Sequence, residues 1–379
     1  MSPFKKIKTF IKLNYPTLTR NLINLRDNNK LIRVLKRKFF IKLAKNVHGK
    51  KIIKSEKGFI IDFSLSNYVS YVVRPKKAKN IITNIENYEY PSTAIIIRGS
   101  IYGLEEFVEE TIYIYKKLFQ NTQIILSIWE DEVDNKFLKK FDTEENIKII
   151  LNKGIYSKFS PDFQTHTASS ALLYAEEQKI KYCVNTRTDS RIYKKNSISF
   201  LNNLLKNYPI HQDYQFLKNR IISCSIDTRK YRIYGLSDIF LFGSTENLKK
   251  YFNKTSFIDS LQEMNLGSYP CIKNDTAIIN EIFLFARYFY KNNIDLQWTL
   301  EDWWKKCREL FIIVDPSSLD FFWYKYEWKY EQRFNTNYSS NFEQSIQYSD
   351  WLNLYMNDDF KFNESLKEKW KIQDGLLVQ

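Results

Sequence analysis

From residue 91 onward, short apolar runs alternate with longer stretches in which apolar residues recur at helical spacing. Residues 94–97, 123–128, 148–151 and 181–186 read as strands, being short, apolar and rich in β-branched side chains. Between them, 104–119 and 167–177 read as helices. The first of these has acids at its start and Lys116 and Lys117 near its end, the order that the helix dipole favours. Strands separated by helices predict an α/β fold with a mainly parallel sheet and right-handed crossovers. Further on, 200–208 reads as a helix, while 221–225 and 239–243 are apolar runs that either continue the sheet or form a ribbon beside it.

Ligands of such sheets bind beyond the carboxyl ends of the strands, which directs attention to 98–100, 129–131, 152–154 and 187–191. The last is the most chemically loaded. In Asn185-Thr186-Arg187-Thr188-Asp189-Ser190-Arg191 a period of two puts Arg187, Asp189 and, if the strand persists, Arg191 on one face. An acid between two guanidiniums suits a sugar diphosphate. Arg offers bidentate hydrogen bonds to phosphate oxygens, and Asp189 is the acid able to ligate the Mn²⁺ or Mg²⁺ that neutralises a leaving group. The same spacing also describes a structural ion-pair ladder at a strand end. Upstream, Gln164-Thr165-His166-Thr167-Ala168-Ser169-Ser170-Ala171 opens on hydroxyls and small side chains. That suits either an anionic ligand at a helix start or close contact between helix and sheet.

Charge separates one part of the chain from the rest. Residues 1–58 hold 17 Lys and Arg against Asp27 and Glu56, so the other 321 residues carry 41 bases and 41 acids. A neutral body with no recognised reading motif argues against nucleic acid as a partner. Within the arm, Leu31, Ile32, Leu35, Phe39 and Leu43 recur at helical spacing among six Lys and Arg residues. This is either a basic amphipathic helix lying on an anionic membrane surface or a solvated surface helix. No stretch reaches the ~18 to 20 apolar residues that cross a bilayer, and Lys5, Lys6, Lys8, Lys12 and Arg20 interrupt any signal-peptide core. The expectation is a cytoplasmic protein, peripheral on the inner face of the plasma membrane. Cys183, Cys224, Cys271 and Cys307 show no CxxC spacing and read as reduced thiols. Seven of the eight tryptophans fall between Trp298 and Trp370, which sets off an aromatic-rich C-terminal region.

Four segments in order, AIIIRGSIYGLEEFVEET, TQIILSIWEDE, FQTHTASSALLYAEEQKIKYCVNTRTDSRIY and YRIYGLSDIFLFGS, resemble the WavE family of bacterial lipopolysaccharide-synthesis proteins over roughly residues 90–290. The resemblance implies a GT-A-like, Rossmann-like nucleotide-sugar-binding core and glycosyltransferase activity on a nucleotide-diphosphate sugar. It implies donor-binding roles for Arg98, Gly99 and Ser100 at the first strand's turn, for Gln164 and Thr167 at the helix start, and for Arg187 and Asp189 in the acidic motif. TRTD has Arg187 where a DxD pattern has its first acid. Asp238 and Glu281 match later acids of the family and are the candidates to receive the acceptor hydroxyl's proton. Asp275 is a third candidate, though before Thr276 it also reads as a helix cap. Arg229, Lys230 and Arg232 suit an acceptor phosphate or a solvated strand edge.

The expected organisation is a basic amphipathic arm and linker over 1–90, a GT-A-like catalytic core over 91–295 and an aromatic-rich extension over 296–379. The expected partners are a nucleotide-sugar donor, a glycan or lipid-linked saccharide acceptor of the lipopolysaccharide or capsule type, and an anionic membrane surface for residues 1–58. The alternative is a non-enzymatic scaffold docking a glycan-biosynthesis complex on the membrane.

Overall fold

The computed structural model describes residues 52–55, 58–61, 74–81, 92–120, 122–157, 159–264, 272–273, 277–278, 280–324 and 345–363. The helix expected over 31–47, nearly all of the basic arm, Cys271 and Asp275 lie outside them. The chain divides into two units, Met1–Arg74 and Pro75–Gln379. In the first, β1 (Ile52–Ser55) and β2 (Gly58–Ile61) form an antiparallel hairpin with Ile52 opposite Ile61.

The second unit is built on β3 (Thr93–Arg98), β4 (Gln123–Trp129), β5 (Ile147–Asn152) and β6 (Tyr182–Arg187). β3 is buried along its whole length, which explains its unbroken apolar run, since a central parallel strand is covered on both faces. Three more strands complete the sheet: β8 (Ile221–Cys224), β9 (Leu241–Ser244) and β12 (Phe311–Val314), after the short β7 (Ser190–Ile192) and the two-residue β10 (Ile272–Lys273) and β11 (Ala277–Ile278). The order across the seven strands is β12-β8-β9-β6-β3-β4-β5. Only β9 runs antiparallel to its neighbours.

This order fixes where a ligand binds. The chain steps from β3 outward through β4 to β5, then returns to the other flank of β3 as β6. The order therefore reverses between β3 and β6, and the crevice of an open α/β sheet lies beyond the carboxyl ends of the strands at that switch.

The helices are α1 (Glu105–Leu118), α2 (Asn135–Lys139), α3 (Ser160–Glu177), α4 (Ser197–Asn207), α5 (Thr245–Tyr251), α6 (Phe257–Met264), α7 (Asn280–Lys291), α8 (Leu300–Leu310), α9 (Pro316–Leu319) and α10 (Tyr348–Met356). α3 begins at Ser160 rather than at 167 because Pro161 stands in its first turn, where a missing N–H costs nothing. It lies against β3, β4 and β5, and α5 and α7 lie against it.

Both flanks of the expected core contribute to this unit. Residues 75–81 are held on α1: Ala78 N donates to Glu110 Oε2 at 2.7 Å, and Lys117 Nζ donates to Ala78 O at 2.8 Å. Downstream, Phe311–Val314 is an edge strand of the sheet. α8 buries Trp303 and Trp304, whose indole N–H groups donate to the carbonyls of Arg229 and Lys230 at 2.8 and 2.7 Å. Much of the tryptophan excess is therefore core, and these two rings have a partner for their polar edge. Cys183, Cys224 and Cys307 are buried and unpaired. Among the described residues, no helix is long and apolar enough to cross a membrane.

Candidate functional site

The turns after β3 and β6 lock together at the switch point. Thr188 N donates to Arg98 O at 3.0 Å, and Thr188 Oγ1 donates to Ser100 O at 2.6 Å. Glu132 closes the first turn, accepting from Ser100 Oγ and from Ile101 N, both at 2.8 Å. Gly99 has φ +121°, and a Cβ there would stand 3.3 Å from Thr188 Oγ1. Both backbone angle and space demand glycine. Gly99→Ala is expected to cost about 1–3 kcal/mol of stability, read by chemical denaturation; an unchanged midpoint would show that the turn relaxes freely.

Arg98 does not project into the crevice as an open anion ligand. It is 2% exposed; its Nη2 donates to Asp238 Oδ2 and Asp238 O, both at 3.1 Å, and its Nε donates to Asn185 Oδ1 at 3.2 Å. Phe252 lies under the guanidinium at 4.8 Å. Burial draws its pKa below the ordinary value, Asp238 pulling the other way. Two candidates expected to act on different substrates are thus one buried ion pair.

Glu281, in the first turn of α7, is half-buried. Burial, followed by the Asp238 charge, pushes its carboxyl up to about 7. Tyr251, buried at the end of α5, feels the same two acids, and burial above all raises it well beyond its ordinary value. Four buried polar atoms in this region make no hydrogen bond among the described residues: Gln164 Oε1, Asn185 Nδ2, Tyr251 Oη and Arg287 Nε. They connect through Arg98 to Asn185, through the shared charges around Tyr251, and through Arg287 Nη2 to Thr165 Oγ1 at 3.4 Å, next to Gln164. Buried polar atoms without partners are costly, so this cluster is prepared to meet polar groups from elsewhere.

The acidic motif holds its arginine in a fixed pose. Asp189 accepts from Arg187 Nε at 2.9 Å and Nη2 at 3.2 Å, and from the Trp323 indole N–H at 3.1 Å. Trp323, on β13 (Phe321–Trp323), also faces the guanidinium at 5.8 Å. Arg187 keeps 24% of its side chain exposed, against 9% for Asp189. The cation, not the acid, is therefore what this strand end presents.

Asp189 is the partner of Arg187, so a divalent ion held there by one carboxylate and the donor's phosphates would share that carboxylate with a guanidinium. Among the described residues no group of three or more His, Cys, Asp or Glu side chains converges.

Arg191 does not join this group. The chain turns at Thr188–Asp189 and restarts as β7, which pairs with β13. Arg191 therefore points at α1: Nε donates to Thr111 Oγ1 and Nη2 to Phe107 O, both at 2.7 Å, over the Phe107 ring at 3.7 Å. Thr167 is fully buried, and its hydroxyl donates back to the carbonyls of Phe163 and Gln164 in its own helix, so of the helix-start pair only Gln164 has an unpartnered atom. Lys230 pairs with Asp350 at 2.8 Å and Arg229 with Asp227 at 2.6 Å, so both already have acids.

Glu132 and Tyr251 escaped sequence reasoning, and Asn185, at the head of the acidic motif, was given no role there.

No protein-family model matches the chain, and no curated protein matches it. Among solved structures, a mannosyltransferase from Pyrobaculum calidifontis in complex with GDP-Man and Mn²⁺ is similar at 13% identity and a TM-score of 0.29, over 43% of this chain and 47% of that one. The likeness spans less than half the length of that protein and assigns neither fold nor activity.

Proposed function

We propose that the protein is a glycosyltransferase with a GT-A-like core, moving a sugar from a nucleotide-diphosphate donor to a lipopolysaccharide or capsular glycan. One observation carries the reading. At the switch point, a partly exposed guanidinium, Arg187, is held bidentately by Asp189 near buried Asp238 and half-buried Glu281, whose carboxyl is pushed up by burial and by the Asp238 charge. A developing diphosphate needs a fixed cation, and a hydroxyl nucleophile needs a base.

In this mechanism Arg187 receives the phosphate oxygens, and Asp189 with Trp323 sets its pose. Asn185 and Gln164 supply hydrogen-bonding atoms to the donor. The acceptor hydroxyl loses its proton to Glu281 while its oxygen bonds the sugar's anomeric carbon. The bond from that carbon to the diphosphate breaks, and the leaving charge rests on Arg187. Asp238, tied to Arg98, keeps Glu281 basic enough to take the proton.

A screen of UDP-, GDP-, CMP- and dTDP-sugars for thermal stabilisation tests the reading, since a ligand at about 100 times its Kd adds ~2.7 kcal/mol. One nucleotide class should stabilise the protein; silence across all four, with the protein folded, would favour the scaffold alternative.

A base must be ionised to accept a proton, so transfer or donor hydrolysis should rise with pH through about 7 and level off above it. Glu281→Gln should abolish that rise. A wild-type profile flat across neutrality rules Glu281 out as the base.

The reading includes a place of action, the cytoplasmic membrane face, supported by the segregation of net charge into residues 1–58. Deleting them should remove salt-sensitive binding to anionic vesicles, each Lys or Arg near the surface giving ~1 kcal/mol. Equal binding by the full and shortened chains contradicts the assignment.

A further inference from the structure

A second cleft, of about 600 Å³, lies between the segment after α7, the 3₁₀ turn Gln212–Leu217 and one face of α8. None of its lining residues belongs to the crevice at the switch point. Its wall runs from a turn at Asn293, where φ is +55°, to Gln297; Asn293, Asp295 and Gln297 are exposed, whereas Ile294 is buried and Leu296 and Trp298 pack on the core. Alternation of exposed and buried positions from Ile294 to Gln297 puts the Asp295 carboxylate and the Gln297 amide on one side, with the Asn293 amide at the turn before them. Among the described residues these three side chains make no hydrogen bond or ion pair.

Opposite this wall stands Phe216, 52% exposed, beside Tyr214, which accepts from Lys306 Nζ at 3.0 Å. The cleft's charges nearly balance. Asp213, Asp295 and Asp302 face Lys305 and Lys306, and Asp302 is already committed to the Tyr234 hydroxyl and Gln297 N. A phosphate would find no basic cluster here, and an extended cation no acidic one.

A wall of planar amide and carboxylate side chains, each able to donate to or accept from adjacent hydroxyls, faces an exposed aromatic ring that offers an apolar surface. Together they match a polyhydroxyl ring with one apolar face. We propose that this cleft is a saccharide-binding site, separate from the transfer site, that holds a segment of an oligosaccharide chain. Such a site retains a glycan by contacts remote from the reacting hydroxyl, and because it shares no residue with the crevice it stands whether or not the transfer reading does.

The test is an array of neutral, N-acetylated and uronic-acid oligosaccharides probed with the full chain, followed by titration of the best array ligand into wild type, Phe216→Ala, Asp295→Asn and Arg187→Ala. Both cleft variants change exposed side chains, and unchanged melting temperatures confirm their folding. Wild type should bind, Phe216→Ala and Asp295→Asn should weaken binding at least ~10-fold, and Arg187→Ala should bind as wild type does. No binding by any array member, or equal binding by the cleft variants, overturns the proposal. Binding lost in Arg187→Ala alone places the saccharide in the crevice and likewise overturns it. Failure of nucleotide sugars to bind, with saccharide binding intact, counts against the transfer reading only.

Discussion

Arg187→Ala is expected to lower sugar transfer by about 10²–10³-fold at saturating donor, the scale of losing one preorganised electrostatic group. It should also lower the melting temperature, because Asp189 keeps only 9% of its side chain exposed against 24% for Arg187, and a buried carboxylate that loses its cation is destabilising; transfer is therefore compared at a temperature where the variant is folded. Asp189→Asn tests the same geometry differently. An amide has one carbonyl oxygen and cannot accept both guanidinium hydrogen bonds and the indole, so Arg187 loosens without leaving. Transfer should fall by about tenfold, the scale of one hydrogen bond to a charged group, and less than in Arg187→Ala. If Asp189→Asn instead costs as much as Arg187→Ala and the remaining activity tracks added Mn²⁺, the acid contacts a metal and the role given to the arginine is wrong.

Arg98→Met should have the largest effect on stability. It removes the guanidinium that pairs with Asp238, 3% exposed, and leaves that carboxylate beside Glu281. Breaking one side of a buried pair costs about 3–5 kcal/mol because the other charge stays buried and unpaired. The double variant Arg98→Met with Asp238→Leu should recover much of that loss, since apolar replacement of both partners is often near neutral. A double-mutant cycle from urea denaturation reads the coupling. Additive losses would show that the two residues do not depend on one another. The double variant should also move the pH-dependent rise in transfer to lower pH, because Glu281 then lacks the second of the two causes that raise it, while burial remains.

What the sequence revealed depended on how local the cause was. β3 and β4 were legible because a strand covered on both faces needs a near-continuous apolar run, and 94–97 and 123–128 supply them, while β5, half-exposed along its length, and β6 were legible from the shorter apolar runs in 148–151 and 181–186. The reversed direction of β9 was not legible, since an apolar run does not say which way it lies. β12 follows directly on α8 with no turn residue between Leu310 and Phe311, so no punctuation marked its start. At the site, residue types were legible and pairings were not. Arg98 and Asp238 stand 140 positions apart, and nothing in either segment indicates that one neutralises the other. Arg191 was placed with Arg187 and Asp189 by assuming that the strand persists. It ends because Thr188 bonds back to Ser100 and because Phe321–Trp323, far along the chain, pairs with β7.

The central claim is that a guanidinium fixed by an acid holds the donor's diphosphate at the switch between β3 and β6. Isothermal titration of the nucleoside diphosphate from the stabilising donor, into wild type and Arg187→Ala, each with and without EDTA, tests it most directly. The predicted result is binding that survives the chelator in wild type and disappears in Arg187→Ala. Binding abolished by EDTA in wild type, or unchanged in Arg187→Ala, would contradict it.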